Sequence, residues 1–177
     1  LNMDHGVLGG PSTARWTFHN LKATERTGVE LFAEQYLGKL RVNESFTYVN
    51  AKIKKVGDDV LTSTTYNFKD GQKIPGVPST KVTLGLDYEI EDGLRTTANL
   101  NYYSSSVDTY NEKIPSYSTT DLGLKYKHQS GFGLNAGVKN VFNKKYNVAQ
   151  GKDPLTGSTV YSPADERTYY VGASYEF

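Results

Sequence analysis

The sequence contains no cysteine, which excludes a disulfide framework, a thiolate nucleophile and a cysteine-ligated metal. No stretch approaches the roughly 18 consecutive apolar residues of a transmembrane helix, so such a helix is excluded. An excess of one sign of charge is also missing, since the sequence has 20 Lys and Arg and 19 Asp and Glu. The net charge of +1 argues against nucleic-acid binding. These absences do not exclude a membrane, because a spanning strand needs only about ten residues with every second one apolar.

Motifs for catalysis and metal binding are missing as well. The sequence has no glycine elbow and no HExxH pattern, so a hydrolase would need a Ser or Thr nucleophile with His19 or His128 as base. The histidines, including His5, lie far apart, and the acidic pairs at 58–59 and 165–166 lack the spacing of a calcium loop. We expect no enzyme activity, no metal and no cofactor.

The abundant residues are tyrosine and glycine, with 14 and 17 copies. Tyrosine suits strand positions at a polar–apolar boundary, and glycine suits tight turns and crowded barrel interiors. The last eleven residues alternate with period two, and one side of this predicted strand carries Tyr169, Val171, Ala173, Tyr175 and Phe177. Such a strand would leave an open edge, so we expect another strand to pair with it.

Eight segments have strand periodicity, and the connections between them alternate in length. The predicted strands are roughly 14–20, 28–37, 40–50, 79–90, 94–104, 117–128, 132–141 and 167–177. Two or three residues join the second to the third, the fourth to the fifth and the sixth to the seventh. The other connections are longer, at 21–27, 51–78, 105–116 and 142–166. Short turns at one end and long loops at the other are typical of outer-membrane barrels.

Two predicted hairpins agree in turn, face and charge. Folding about residues 91–93 places Ile90 opposite Leu94 and Glu89 opposite Arg95. Folding about residues 129–131 places Leu124 opposite Ala136, Leu122 opposite Val138 and Asp121 opposite Lys139. This agreement predicts two antiparallel pairs with one apolar and one polar face.

The hairpin about residues 38–39 fits less well. Pairing Leu37 with Leu40 places Glu44 on the apolar face among Val42 and Phe46. A carboxylate facing lipid is costly, so this hairpin is expected to contain a bulge, to use another register, or to place Glu44 near the headgroups.

Two motifs near the end of the chain carry a family resemblance. Residues 140–146 read NVFNKKY, and after a loop residues 166–177 read ERTYYVGASYEF. Together they resemble the C-terminus of TonB-dependent outer-membrane receptors. Residues 27–31, TGVEL, and 71–78, GQKIPGVP, followed by KVTLGLDY at 81–88, resemble strand starts and loop-to-strand passages of the same barrels. The resemblance covers most of residues 27–177.

The resemblance implies an all-β fold in the bacterial outer membrane. The expected architecture is a segment of an antiparallel transmembrane β-barrel, about eight strands, with short periplasmic turns and long extracellular loops. Residues 1–11 have neither the basic start nor the apolar run of a signal peptide. We expect residues 1–177 to be the C-terminal part of a barrel whose plug domain and N-terminal strands are absent from this sequence.

The resemblance also implies a function and partners. Receptors of this family import a scarce nutrient such as a ferric siderophore, haem or cobalamin, and we expect a ferric siderophore or a similar ligand here. They are driven by the TonB energy complex, which would act through the absent N-terminal part. The side chains of Tyr169, Val171, Tyr175 and Phe177 resemble the signal read by the barrel-insertion machinery, and the apolar face would meet outer-membrane lipid.

Candidate ligand contacts are the cationic and aromatic residues of the long loops. Lysine attracts an anionic iron chelate and aromatic rings cover its apolar parts, which points to Lys54, Tyr66, Phe68, Tyr110 and Tyr161. Ordinary solvated loop residues would give the same pattern. Two other functions stay open: a self-contained eight-stranded outer-membrane barrel with a structural or adhesive role, and a soluble lipocalin-like carrier with its apolar face turned inward.

Overall fold

The computed structural model describes residues 2–9, 13–57, 68–153 and 156–177, and only the backbone of residues 2–9 and 13–20. The described residues form strands, turns and irregular segments without any helix, and so include none that could span a membrane. The strands are β1 (Asn2–Gly9), β2 (Thr13–Asn20), β3 (Ala23–Leu37), β4 (Leu40–Lys55), β5 (Thr80–Glu91), β6 (Leu94–Tyr103), β7 (Ser106–Val107), β8 (Lys113–Ile114), β9 (Tyr117–Lys127), β10 (Phe132–Lys139), β11 (Asn147–Lys152), β12 (Thr159–Pro163) and β13 (Thr168–Tyr175).

Seven long strands form one antiparallel sheet in the order β13-β10-β9-β6-β5-β4-β3. Within the described residues β13 pairs with β10 alone and β3 with β4 alone, so this sheet is not closed on itself. Three further hairpins, β1–β2, β7–β8 and β11–β12, form separate two-stranded sheets. All eight predicted strands are therefore present, and β1 and the four short strands in the loops were not predicted.

The two faces of the sheet differ in chemistry, as the alternation predicts. On the apolar face of β5 and β6, Leu84 lies opposite Leu100 and Val82 opposite Tyr102. Val82, Leu100 and Tyr102 are exposed, Leu100 by 44% for example, and Leu84 is half-buried, although all four belong to the most apolar surface of the sheet. An exposed, continuous apolar face is expected where the solvent is lipid, whereas an inward-facing carrier would bury it.

The polar face carries charges that are paired across strands. The Asp87 carboxylate on β5 lies 3.2 Å from an Nη of Arg41 on β4 and 2.9 Å from Nε of Arg95 on β6. The Asp87 side chain is only 13% exposed, so two guanidinium groups compensate its removal from water. This group ties three neighbouring strands together near the ends that the short turns connect.

Glycines on the polar face leave room for an aromatic ring. The ring of Tyr170, on β13, lies across Gly137 of β10, and its hydroxyl reaches towards Gly123 of β9. A side-chain carbon at Gly137 would overlap this ring and the Leu122 carbonyl. Glycine is required at this position because the ring takes the place of a side chain.

The short turns lie at one end of the sheet, which we call the turn end; the opposite end, with the long connections, is the outer end. Gly93 and Gly131 have φ of +75° and +88°, values that side chains other than glycine rarely adopt. Their carbonyls accept hydrogen bonds of 2.8 and 2.9 Å from the backbone N–H groups of Lys127 and Glu176. Each turn glycine thus also fastens its hairpin to the next strand.

The predicted registers are confirmed in their central parts and wrong at two ends. Glu89 pairs with Arg95 as predicted, but a bulge then places Glu91, not Ile90, opposite Leu94. The β9–β10 ladder ends one pair before Asp121, because the Asp121 carboxylate instead accepts a 2.8 Å hydrogen bond from the Asn140 backbone N–H.

The hairpin about residues 38–39 is more regular than expected. Leu37 pairs with Leu40, and the ladder continues without a bulge or a change of register past Glu44, which lies opposite Ala33 and Leu84. The expectation of a bulge or another register there is wrong, and the carboxylate does lie on the apolar face. The irregularity in this pair is at the outer end, between Ala23 and Thr24.

Two predicted loops are shorter than expected. β3 begins at Ala23, so the connection from β2 is Leu21–Lys22 and the predicted loop at 21–27 is wrong. β4 continues to Lys55, five residues beyond the predicted end. Beyond Tyr48, where its pairing with β5 stops, the edge of β4 forms backbone hydrogen bonds with residues 71–74 instead. Backbone N–H groups that would otherwise lack partners are satisfied in this way.

Candidate functional site

The outer end contains the most buried apolar group of the described chain. Leu21, Ala51, Ile53, Val56, Phe68 and Ile74 form this cluster, which we call the loop core. Ile53 and Ile74 are fully buried, and backbone hydrogen bonds of 2.8 and 3.1 Å join β4 to residues 72 and 74. Burial of these side chains provides the hydrophobic stabilisation that the exposed sheet face does not. The loop after β4 is therefore a folded unit.

The loop core is connected to the β7–β8 hairpin. The backbone N–H of Gly76 donates a 2.8 Å hydrogen bond to the carbonyl of Val107. The hairpin itself is held by Asp108, a carboxylate only 3% exposed that accepts hydrogen bonds from the backbone N–H groups of Tyr110 and Glu112. These charge-assisted bonds compensate the burial of Asp108 and fix the turn.

The β7–β8 hairpin in turn contacts the β11–β12 hairpin. The side-chain amide of Gln150 donates to the Asp108 carboxylate at 3.3 Å. The Lys152 ammonium lies 3.2 Å from the Glu112 carboxylate and 5.3 Å from the centre of the Tyr110 ring. These contacts thus join three long loops in series at the outer end.

The NVFNKKY motif fixes the outer end of β10 to the start of β13. Asn140 is 5% exposed and has a φ of +51°; its side chain donates to the carbonyls of Lys144 and Asp165 and accepts from the Lys144 N–H. Asn143, also at φ +51°, accepts a 2.8 Å hydrogen bond from the Arg167 N–H. Asparagine tolerates this backbone conformation and can bond locally. The motif is therefore explained by its structural role.

Three tyrosines stack on the polar face at the outer end. The ring centres of Tyr103 and Tyr117 are 4.9 Å apart, and those of Tyr117 and Tyr146 are 3.9 Å apart. The Lys81 ammonium lies 5.4 Å from the centre of the Tyr103 ring. These three tyrosines, which we call the tyrosine stack, present π faces and phenol groups, and Lys81 adds a positive charge beside them.

Beside the tyrosine stack is a cleft of about 470 Å³, whose walls include Asp121 and Tyr146. Burial, with smaller effects of Tyr103, Asp121 and Asp165, raises the pKa of Tyr146 above its ordinary value. Its phenol therefore stays protonated and can donate a hydrogen bond. A larger cleft, about 770 Å³, lies among the turns at the opposite end of the sheet and contacts none of these loops.

The predicted ligand contacts are distributed over different surroundings. Lys54 is exposed, and its ammonium lies 3.4 Å from the Glu25 carboxylate. Phe68 is 5% exposed and packs in the loop core, so its ring supports the loop. Tyr66 lies outside the described residues.

The other two predicted contacts come close to one another through their hairpins. Tyr110 lies under Lys152, and Tyr161 is 56% exposed on β12, directly opposite Gln150. Since Gln150 and Lys152 both contact the β7–β8 hairpin, the structure joins the segments that carry Tyr110 and Tyr161. Whether any of these residues binds a ligand stays a prediction.

Sequence reasoning did not select the tyrosine stack. Tyr103 and Tyr117 lie at strand ends, and Tyr146 belongs to the family-like motif, so none was considered as a loop residue. A usable signal was present: Lys81, Tyr103 and Tyr117 share the parity of the polar face in the predicted hairpins. Among the described residues, no three His, Asp or Glu side chains form a group that could hold a metal.

The predicted insertion signal lies on the apolar face of β13. Tyr169, Val171 and Tyr175 are 68%, 81% and 57% exposed, and Phe177 follows them with its ring 5.0 Å from that of Tyr175. β13 thus presents Tyr169, Val171 and Tyr175 on one side, and Phe177, two residues beyond its end, packs edge-on against Tyr175. Their recognition by the insertion machinery stays a prediction.

Comparison with known proteins identifies the family. The family described as "TonB dependent receptor-like, beta-barrel" matches residues 4–141. The chain belongs to this family. TonB-dependent receptors are β-barrels of the bacterial outer membrane, so the apolar face is the outer surface of the barrel wall, the polar face lines its lumen, and the long loops are extracellular. The comparison supports neither a lipocalin-like carrier nor a small closed barrel.

Relatives of known structure or description agree with this assignment. The 47 kDa outer membrane protein of Pasteurella multocida (strain Pm70) is 27% identical over 178 residues, which are 97% of this chain and 36% of that protein. The unliganded ferric citrate transporter FecA is 26% identical with a TM-score of 0.71, over 87% of this chain and 24% of that one.

Two other solved structures share the fold. The ferric yersiniabactin uptake receptor FyuA from Yersinia pestis is 20% identical, with a TM-score of 0.72 over 91% of this chain and 25% of its own. The copper transporter OprC is 20% identical, with a TM-score of 0.70 over 100% of this chain and 27% of its own. The chain thus spans between about a quarter and a third of the length of these relatives.

Proposed function

We propose that this chain is the C-terminal part of the barrel of a TonB-dependent receptor that imports a ferric siderophore. The observation that carries the proposal is the tyrosine stack with Lys81, which lines the outer lumen beneath three interlocked loops. A ferric siderophore is anionic and has flat or oxygen-rich faces, and a lysine beside stacked phenol rings can attract its charge and cover those faces.

The predicted loop residues fit this proposal in different ways. Tyr110 and Tyr161 lie on hairpins that the structure joins, and with Tyr66 they would contact the ligand from above. Lys54 would add positive charge at the rim, although it is already paired with Glu25. Phe68 would act by holding the loop core together.

The proposal names a class of ligand that the fold alone does not select. Ferric citrate and ferric yersiniabactin appear in the names of two structural relatives, and copper appears in that of a third. The cationic and aromatic character of the lumen lining favours an anionic chelate over a bare cation. Other segments of the receptor would supply the plug and the contact to the TonB energy complex.

The test is uptake of radioactive iron by cells that express the full-length receptor. We expect a ferric siderophore from a panel of anionic chelates to support uptake. Lys81→Gln should raise the half-saturating concentration about tenfold, as loss of one charge-assisted contact to the bound anion predicts. Lys125→Gln is the matched control, because it removes another exposed polar-face lysine from β9, towards the turn end.

Two results would contradict the proposal. One is copper or cobalamin uptake without uptake of any ferric chelate, which would assign another ligand. The other is an equal response to Lys81→Gln and Lys125→Gln, which would remove the tyrosine stack from the binding site.

The role of β13 in assembly is a second part of the proposal. We propose that the insertion machinery reads Tyr169, Val171 and Tyr175, which β13 presents on one exposed face, together with Phe177, which follows the strand. Removal of Phe177 should then lower the amount of folded receptor in the outer membrane without changing the affinity of the molecules that are inserted.

A further inference from the structure

The outer ends of β3 and β4, with residues 68–74, carry a strong excess of positive charge. Six lysines lie in the described segments 21–25, 51–57 and 68–74, and these segments contain only two acidic residues. One acid, Glu25, already pairs with Lys54 at 3.4 Å, and the other, Asp70, accepts a 2.9 Å hydrogen bond from the Val56 backbone N–H. Most of this charge is therefore not compensated by these segments.

Two of these lysines face each other directly. Lys52 and Lys73 are partners in an antiparallel bridge between β4 and the following loop. The Cβ atoms of directly opposite residues are about 5 Å apart, and like charges in such a pair destabilise it. Both side chains are exposed. On the β3 side Lys52 lies opposite Glu25, but the Glu25 carboxylate pairs with Lys54 at 3.4 Å, and neither ammonium of the bridge forms an ion pair with another described residue. The arrangement becomes favourable if an anion lies between the two ammonium groups.

The two lysines point to the outside of the barrel. Their neighbours Ala51, Ile53 and Ile74 are buried in the loop core on the polar side of the sheet, so alternation directs Lys52 and Lys73 to the opposite, apolar side. Further down the same side of β4 lies Tyr48. The pair is therefore part of the outer surface and does not face the lumen.

The height of the pair matches the headgroup layer. Lys52 is four residues beyond Tyr48, which corresponds to about 13 Å along the strand and about 10 Å in height at the usual tilt of barrel strands. Tyrosine marks the membrane interface, and a lysine side chain above it can bend towards the lipid phosphates.

We propose that Lys52 and Lys73 bind the phosphorylated headgroup of an outer-leaflet lipid. The phosphate lies between the two ammonium groups and removes their repulsion, while the acyl chains lie along the apolar face below Tyr48. Lipid is the fitting source of the phosphate because the pair faces outward, directly above the apolar surface of the barrel. A dissolved anion would gain no contact with that surface.

The test measures lipid binding to the purified full-length receptor by native mass spectrometry in a zwitterionic detergent. The probes are lipid A with both phosphates, the same lipid after dephosphorylation, and inorganic phosphate alone. We expect the unchanged receptor to bind the phosphorylated lipid tightly. The Lys52→Gln/Lys73→Gln variant should bind it at least roughly tenfold more weakly, as the loss of two lysines near an anionic surface predicts. Lys113→Gln/Lys144→Gln, which changes two exposed lysines of other loops, should bind like the unchanged receptor.

Three outcomes would overturn the proposal: equal binding by both double variants, equal binding of the dephosphorylated lipid, or displacement of the lipid by millimolar inorganic phosphate, which would indicate a site for dissolved anions. Folding is checked by heat-modifiable migration on gels. If the double variant does not fold, Lys73→Gln alone, in the loop, is compared with Lys73→Arg, which keeps the charge and should keep the binding.

Discussion

The two ends of the sheet are stabilised in different ways. At the turn end, short glycine turns and backbone hydrogen bonds fix the strands, and the side chains around them stay open to solvent. At the outer end, a buried apolar cluster, a buried carboxylate and a stack of three rings hold long loops together. A barrel wall exposes its apolar side chains, so the compact core of this segment lies in its extracellular loops. The loops should therefore have a stability of their own.

The largest expected effect comes from emptying the loop core. Ile74→Ala removes a fully buried side chain, and the resulting cavity should cost about 3 kcal/mol. Because the damage is confined to the outer end, hydrogen exchange of residues 51–56 and 68–79 should accelerate roughly a hundredfold, whereas residues 94–103 should exchange as before. Val148→Ala, at an exposed position of β11, is the control. Equal acceleration in both regions would show that the ends unfold together.

The second prediction concerns the sheet instead of the loop core, and its effect should be smaller. In Gly137→Ala the new methyl group overlaps the Tyr170 ring and the Leu122 carbonyl, which should cost about 2 kcal/mol. Urea unfolding of the receptor in detergent measures the loss, and exchange should increase in β9, β10 and β13 without a change at 68–79. Gly151→Ala is matched to it, because an added carbon there meets no atom within 4 Å. A similar loss in both variants would refute the role of the ring.

The smallest effect is a pH dependence at the turn end. Lys127 donates a hydrogen bond to Glu176 at 2.8 Å and lowers the pKa of that carboxyl below its ordinary value of 4.5. A lowered pKa means that the pair contributes above pH 4.5 and that its contribution is lost as the pH falls through the folded-state pKa. Both groups are exposed, so the effect is small. Unfolding midpoints of the unchanged receptor and Glu176→Gln should differ at pH 7 and converge at acidic pH.

The sequence predicted the hairpins well because each rests on local periodicity. Leu84 and Leu100 are close in sequence, share a face and flank a glycine turn, so one register satisfies all three conditions. The same reasoning failed at Ile90, where a bulge next to the turn shifts the pairing by one residue. A bulge of this kind changes no alternation pattern in the sequence.

The outer end was predicted poorly because its contacts join residues far apart in sequence. Gln150 reaches Asp108 from 42 positions away, and no period relates the two. Phe68 was predicted as a ligand contact because its loop combines basic and aromatic residues. The structure buries its ring in the loop core, a position that the local sequence does not indicate, and ligand contact stays a prediction. The tyrosine stack combines two strand ends with a residue of the NVFNKKY motif, and only the folded sheet brings these three rings together.

The β11–β12 hairpin has a practical consequence for work on living cells. All five residues of β12 are exposed, while Gln150 and Lys152 on β11 fasten the hairpin to its neighbour. An exposed segment with a fixed backbone is a favourable epitope, because binding of an antibody does not have to order the segment first. Antibodies raised against residues 159–163 should therefore label the cell surface and report the number of receptors without binding the barrel wall.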